Sequence, residues 1–335
     1  MDAGCCPSLV YLKNRMKNNM DNKRVAVLLP CYNEALTISK TVNDFHKALP
    51  NAIVYVFDNN STDDSASLAA AAGAVVIPVP QRGKGNVVRT MFREIDADIY
   101  VMADADDTYP ADEVELLIRP ILMHEADMVT GDRLSSSYYT ENKRLGHNFG
   151  NALVCWLVNF LWGIKVKDVM TGYRAFSRSF VKHFPVLSEG FEIETEMTLH
   201  AFDKRYVLKE IPISYRDRPT GSVSKLRTIH DGCRVLMTIF NTFRHYRPFA
   251  FFGGIGVFLL LLGGLFLIPV FWGYFQTGLV PRFPTLIFAT FLLLAGLGSC
   301  SVALILDAMK KQSDREYELL LMSHTERHDF AERNE

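Results

Sequence analysis

The chain has 335 residues, 49% of them hydrophobic and 22% charged, too long for one small domain and too apolar for a disordered chain. Its 36 Lys and Arg against 37 Asp and Glu leave a net charge of −1, which is no footprint for nucleic acid. The six cysteines form no C-x-x-C pair, so neither a zinc site nor a disulfide framework is expected, and a reducing compartment follows.

Residues 1–22 read as an extension without structure of its own, and no signal peptide is expected there. From residue 24 strands and helices alternate. Strands are predicted over 24–29, 52–57, 74–79 and 98–103. Helices are predicted over 34–49, 65–72 and 84–95, the first from the spacing of Leu36, Ile38, Val42, Phe45 and Leu49. This order predicts a mostly parallel sheet, whose ligands bind beyond the carboxyl ends of the strands. Three strand ends carry polar clusters, at 32–34, 58–64 and 104–107. Asn and Asp are ordinary turn residues, so each cluster alone is weak; three on one edge are a signal.

Further on, 111–124 and 148–162 have helical patterns, the second apolar, with Trp156 and Trp162, and expected in the core or at a subunit contact. Leu226, Ile229, Cys233, Leu236, Phe240 and Phe243 form one stripe of an amphipathic helix, suited to a membrane interface or to packing on the domain. No charge occurs from 248 to 281, and none from 283 to 306. Each run exceeds the roughly 20 residues needed to cross a bilayer, with spans predicted near 249–271 and 284–306. Arg244 and Arg247 precede the first run, Lys310 and Lys311 follow the second, and the turn holds only Arg282. Both chain ends are therefore expected in the cytoplasm.

Asp104 and Asp106 end a buried strand one residue apart, an arrangement that holds a hard cation through oxygen; Mg²⁺ or Mn²⁺ is expected. Asp107 or Thr108 is expected to cap the following helix, and Asp63 or Asp64 the earlier one. The loop Arg82-Gly83-Lys84-Gly85 opens a helix and suits phosphate or ribose contacts, without being a Walker A loop. Glu192, Glu194 and Glu196 alternate, so they do not share one helix face, and the pattern does not choose among them as a sugar contact.

PCYNE at 30–34, DNNSTDD at 58–64, DADD at 104–107, GDRL at 131–134, DVMTGYR at 168–174 and YRDRPTGSVSK at 215–225 together resemble the family 2 glycosyltransferases. Within them the pattern, with two spans after it, is similar to the polyprenyl-phosphate glycosyltransferases, which include dolichyl-phosphate mannose and glucose synthases and bacterial relatives. The resemblance covers about residues 23–310, and the Q-x-x-R-W signature of processive synthases is missing. It implies an α/β, Rossmann-like GT-A domain with a mostly parallel sheet over 23–224. A juxtamembrane helix over 225–247, a transmembrane hairpin over 248–309 and a cytoplasmic tail over 310–335 follow.

The resemblance also implies site residues. Pro30, Tyr32, Glu34, Asp58, Lys84 and Asp104 would bind the nucleotide. Asp104, Asp106 and Thr108 would hold Mg²⁺ or Mn²⁺, with Thr108 standing where Gln is frequent. Arg133, Arg144, Arg174, Arg216, Arg218 and Lys225 would meet the acceptor phosphate, a task suited to Arg. Asp168, with Asp106, is the catalytic candidate, as a general base or as a group that orients arginines or sugar hydroxyls. The implied reaction is inverting transfer of one sugar, from UDP-N-acetylglucosamine or UDP-glucose, to polyprenyl phosphate at the cytoplasmic leaflet. GDP-mannose as donor, extension of another lipid-linked glycan and a non-catalytic scaffold are the alternatives. The implied partners are the nucleotide-sugar, polyprenyl phosphate, the bilayer and a second copy of the chain, with no nucleic acid.

Overall fold

The structure is a computed structural model that describes residues 23–135, 145–219 and 228–332. The 1–22 extension, Arg144 and Lys225 lie outside the described residues. The chain divides into two compact units, 1–239 and 240–335.

The first unit is built on a seven-stranded sheet. In chain order its elements are β1 (Val25–Cys31), α1 (Ile38–Ala48), β2 (Ile53–Asp58), α2 (Ser65–Ala71), β3 (Val75–Pro78), α3 (Lys84–Glu94) and β4 (Ile99–Met102). A short 3-10 turn (Ala111–Glu113) leads into α4 (Val114–Leu122), followed by β5 (Met128–Asp132), α5 (Leu145–Trp162), β6 (Arg174–Ser177), α6 (Arg178–His183), α7 (Ile193–Asp203) and β7 (Leu208–Pro212). The strand order is β3-β2-β1-β4-β6-β5-β7. Only β6 runs against its neighbours, β4 and β5. The expected mostly parallel sheet is therefore present, and every strand but β6 points its carboxyl end at one edge.

Alternating strand residues feed two apolar layers. Val27, Leu29, Val54, Val56 and Val101 face Ile38, Val42 and Phe45 of α1 and Leu117, Ile118 and Ile121 of α4. Ala26, Leu28, Tyr100 and Met102 face Val88, Met91 and Phe92 of α3, and Phe180 and Met197 of α6 and α7. A sheet covered on both faces explains why β1 and β4 are apolar throughout instead of alternating. The expected caps differ in part. Asp63 accepts from the backbone and hydroxyl of Ser65 at 3.1 and 2.5 Å. Asp107 instead takes a left-handed conformation (φ 60°) and pairs with Lys40 at 2.6 Å, and Thr108 bonds Asp106, so neither caps the next helix.

Helix α5 buries Val154, Cys155, Val158 and Trp162. Trp156 and Phe160 point outward, 59% and 72% exposed, with rings stacked 5.5 Å apart. The expectation of a core helix is met on one face only.

Helix α8 (Thr228–Tyr246) ends the first unit and begins the second. It buries Val235 and Ile239, so Leu236 and Phe240 of the predicted stripe stand 37% and 49% exposed. Next come α9 (Pro248–Thr277) and α10 (Phe283–Glu332), both long and apolar enough to cross a membrane. Most of their residues are unburied, unlike those of core helices. Gly278 closes α9 at φ 67°, a left-handed cap that glycine adopts without strain. The second predicted span is only the first part of α10, which continues unbroken through 332, about 75 Å of helix at 1.5 Å per residue.

Small residues set the spacing of the hairpin. A Cβ on Gly256 would lie 2.5 Å from Cys300 Sγ and 2.9 Å from the Gly296 carbonyl. The Ser299 hydroxyl donates to the Phe252 carbonyl at 2.7 Å. Close small-residue contacts are what hold helices together where the hydrophobic effect supplies nothing. Gly256→Val is expected to separate α9 and α10 and lower the thermal midpoint in detergent, read by intrinsic fluorescence.

Candidate active site

The sheet order brings the predicted polar clusters to one edge. β1 hands over to Tyr32 and Glu34, β2 to Asp58, β4 to Asp104 and Asp106, and β5 to Arg133. Asn59 fixes the floor: its amide donates to the Val79 and Gln81 carbonyls at 3.1 and 2.6 Å and its oxygen accepts from Gly83 N at 2.8 Å. Arg82 lies 5.5 Å over the Tyr32 ring. Asp58 accepts from Ser61 N through Oδ2, while its Oδ1 is buried without a hydrogen-bond partner among the described residues. A buried acceptor in that state costs stability unless a ligand satisfies it.

Asp104 and Asp106 have different surroundings. Lys84, at the start of α3, bonds Asp104 Oδ1 at 2.5 Å and Glu194 Oε1 at 2.6 Å. Burial works against the Lys84 ammonium, but Asp104 and then Glu194 outweigh it and raise its pKa. Burial likewise works against the Asp104 carboxylate, and Lys84 with Arg218 and Arg133 overcomes it, so Asp104 titrates lower than usual. Asp106 moves the other way, raised by burial and then by the charge of Asp104. It accepts from the Thr108 hydroxyl at 2.6 Å and pairs with Arg218 at 2.5 Å.

The three glutamates of α7 separate. Glu192 accepts from Gly190 N at 3.1 Å, and Glu196 from Leu187 N and Ser188 N at 3.1 and 2.8 Å. Glu194 alone reaches Lys84, and its Oε2 is buried without a hydrogen-bond partner among the described residues. It joins the site as a residue the spacing did not single out.

Two glycine approaches shape the walls. A Cβ on Gly172 would sit 2.7 Å from Asp104 Oδ2, and Gly172 N donates to Tyr109 Oη at 2.9 Å. Gly172→Ala is expected to push the Asp104 carboxylate aside, lowering turnover by about tenfold while the thermal midpoint moves by about 2 °C or less. Parallel activity and melting measurements check it. On the other side, a Cβ on Gly85 would meet the Ser188 carbonyl oxygen at 2.1 Å. Backbone cannot yield as a side-chain tip can, so Gly85→Ala is expected to cost about 1–3 kcal/mol, read as a lower melting point.

The arginines expected to meet the acceptor phosphate part company. Arg133 Nε and Nη2 donate to Asp168 Oδ2 and Oδ1 at 2.7 and 3.0 Å, a bidentate pair with Asp168 1% exposed. Glu210 of β7 accepts from Asp168 N at 3.2 Å and so places that loop. The Arg133 guanidinium covers the Tyr215 ring at 5.5 Å, and Tyr215 meets Tyr109 edge-on at 5.6 Å. Arg216 N donates to the Thr108 carbonyl at 2.9 Å, but its side chain turns to Asp112 at the surface. Arg174 does not fit its expected role. It is fully buried and donates to the Thr171 carbonyl, Thr198 Oγ1 and the Val169 carbonyl at 2.9, 2.9 and 2.7 Å. Burial draws its pKa down to about 10, so it stays charged at neutral pH, as a brace for the 168–173 loop.

Residues 26–184 match Glycosyl transferase family 2. Glycosyltransferase AglJ of Haloferax volcanii is 34% identical over 233 residues, 69% of this chain and 76% of that protein. The chain belongs to glycosyl transferase family 2. A second relative, UDP-N-acetylglucosamine–dolichyl-phosphate N-acetylglucosaminyltransferase of Methanococcus voltae, is 27% identical, covering 58% of this chain and 86% of that protein. Among solved structures, glucosyl-3-phosphoglycerate synthase of Mycobacterium tuberculosis with Mn²⁺ and UDP-glucose superposes with a TM-score of 0.55. At 22% identity over 69% of this chain and 82% of that chain, it shows the shared GT-A fold. The glycosyltransferase class and fold expected from the sequence are thereby confirmed.

Proposed function

We propose that this family 2 enzyme transfers one sugar from a UDP-sugar to polyprenyl phosphate at the cytoplasmic face of a membrane. The observation that carries this is the meeting of Asp104 and Asp106 with Lys84, Arg218 and Arg133 at one strand-end edge. The dolichyl-phosphate acceptor named for the Methanococcus voltae relative and the two apolar helices support the lipid acceptor. The positive flanks of those helices support the cytoplasmic face.

The donor set fits a hard divalent cation. Two carboxylates are offered, and among the described residues no cluster of three His, Cys, Asp or Glu converges, so water and phosphate oxygens would complete the shell. When bound, such an ion neutralises charge on the nucleoside-diphosphate leaving group. Thr108 orients Asp106 through its hydroxyl. Pro30, Tyr32, Glu34 and Asp58 would take the nucleoside, with the unpartnered Asp58 Oδ1 accepting a ribose or base donor. Glu194 Oε2 is placed to accept from a sugar hydroxyl.

A phosphate oxygen of the acceptor bonds to the anomeric carbon as the bond to the diphosphate breaks, with inversion. A phosphate monoester has a second pKa of about 6 and needs no strong base at neutral pH. Asp168, with both oxygens on Arg133, therefore acts by holding that cation toward the acceptor. The test is a screen of the full chain in detergent with dolichyl or undecaprenyl phosphate, Mg²⁺ or Mn²⁺ and labelled UDP-glucose, UDP-N-acetylglucosamine and GDP-mannose. Lipid-extractable label from a UDP-sugar, lost with EDTA, is expected. Label from GDP-mannose alone would overturn the donor, and label only on a diphosphate-linked glycan would overturn the acceptor.

A further inference from the structure

Both carboxylates of the strand-end pair are already met by cations of the chain, and the two cations differ in character. Lys84 stands on helix α3 with its side chain 9% exposed, gripped by two carboxylates. Arg218 stands on the segment after β7, its side chain 29% exposed, and reaches Asp106, 4% exposed, with Nη2. Its Nη1 is buried without a hydrogen-bond partner among the described residues. Before it, Tyr215 packs edge-on against Tyr109 and the Arg216 amide donates to the Thr108 carbonyl, and Arg218 follows two residues on.

Asp104, Asp106 and Glu194 against Lys84 and Arg218 leave a surplus of one negative charge, a poor lure for a free divalent ion. We propose that Arg218 is an exchangeable internal counter-ion of Asp106, which leaves when a divalent cation and a nucleoside diphosphate bind together, while Lys84 is a fixed one. This rests on the reading of Asp104 and Asp106 as the cation-holding pair. The released guanidinium has a two-pronged donor face suited to the diphosphate. Cation and nucleotide then strengthen each other's binding by the same factor. The arrangement keeps the empty enzyme from collecting metal, and it delivers a cation to the leaving group only when that group is present.

The test is a Mn²⁺ titration of the full chain in detergent, with free Mn²⁺ read by electron paramagnetic resonance, without and with UDP. Wild type is expected to bind Mn²⁺ weakly alone and tightly with UDP. Arg218→Gln is expected to bind Mn²⁺ alone about tenfold more tightly than wild type and to gain less from UDP. Arg216→Gln, which removes an equal charge paired at the surface, should leave Mn²⁺ affinity unchanged. An unchanged or lower affinity in Arg218→Gln, or an equal rise in Arg216→Gln, overturns the proposal. Asp106→Asn separates the two readings: Mn²⁺ binding with UDP that survives it sinks the cation site itself.

Discussion

Asp106→Asn should lower turnover by about 1,000-fold, an effect of the size that lost electrostatic stabilisation of a leaving group produces. The loss should come with little change in folding. Asp106 already sits against Asp104, and this repulsion, together with burial, raises its pKa. Neutralising it relieves that conflict while giving up the pair with Arg218 and leaving the Thr108 hydroxyl an oxygen to bond. A thermal midpoint within about 2 °C of wild type is therefore expected, since relief of the Asp104 repulsion offsets the lost pair, whose Arg218 side chain is 29% exposed and can turn to water. Single-turnover transfer and melting of the same preparation would test both halves. A large fall in melting temperature would show Asp106 to be structural.

Arg133→Met is the second large effect, and its signature is opposite. It leaves Asp168, 1% exposed, without its bidentate partner. A buried carboxylate stripped of its cation costs about 3–5 kcal/mol. For a domain of this size that is a fall of about 10 °C in the melting midpoint. Arg133→Met with Asp168→Leu should recover much of the stability and none of the transfer, because the charge conflict goes and the cation proposed to meet the acceptor does not return. Equal destabilisation in single and double variants would show the pair to be marginal to the fold. If Asp168→Asn kept wild-type turnover, a role for Asp168 as base would be untenable.

Local signals carried most of the fold. The helix expected over 84–95 is Lys84–Glu94, and the strand over 52–57 is Ile53–Asp58, because periodicity and flanking turns decide such elements. The Asp104–Asp106 pair was legible for the same reason: two side chains one residue apart at a strand end need no tertiary knowledge. Arg174 was not. The family resemblance implied a phosphate ligand, but β6 enters the sheet antiparallel between β4 and β5, opposite Met102 and Thr130. That insertion is non-local, and it turns the side chain into the protein. Glu194 was hidden similarly, since only the packing of α7 beside α3 distinguishes it from Glu192 and Glu196. The hairpin was visible as two charge-free runs, whereas the unbroken course of α10 beyond them was not, because the charges from Asp307 onward end the apolar run and the apolar residues at 319–322 are too few to set a helical period.

Gly172 limits how such a site can change. Its backbone presses on Asp104 so closely that any side chain there collides with the carboxylate. The wall on that side is main chain and offers nothing to vary. Across the carboxylates stands Lys84 with Glu194, where the wall is made of side chains and not of main chain. Change in the lining around Asp104 is therefore closed at Gly172 and open on the α3–α7 side.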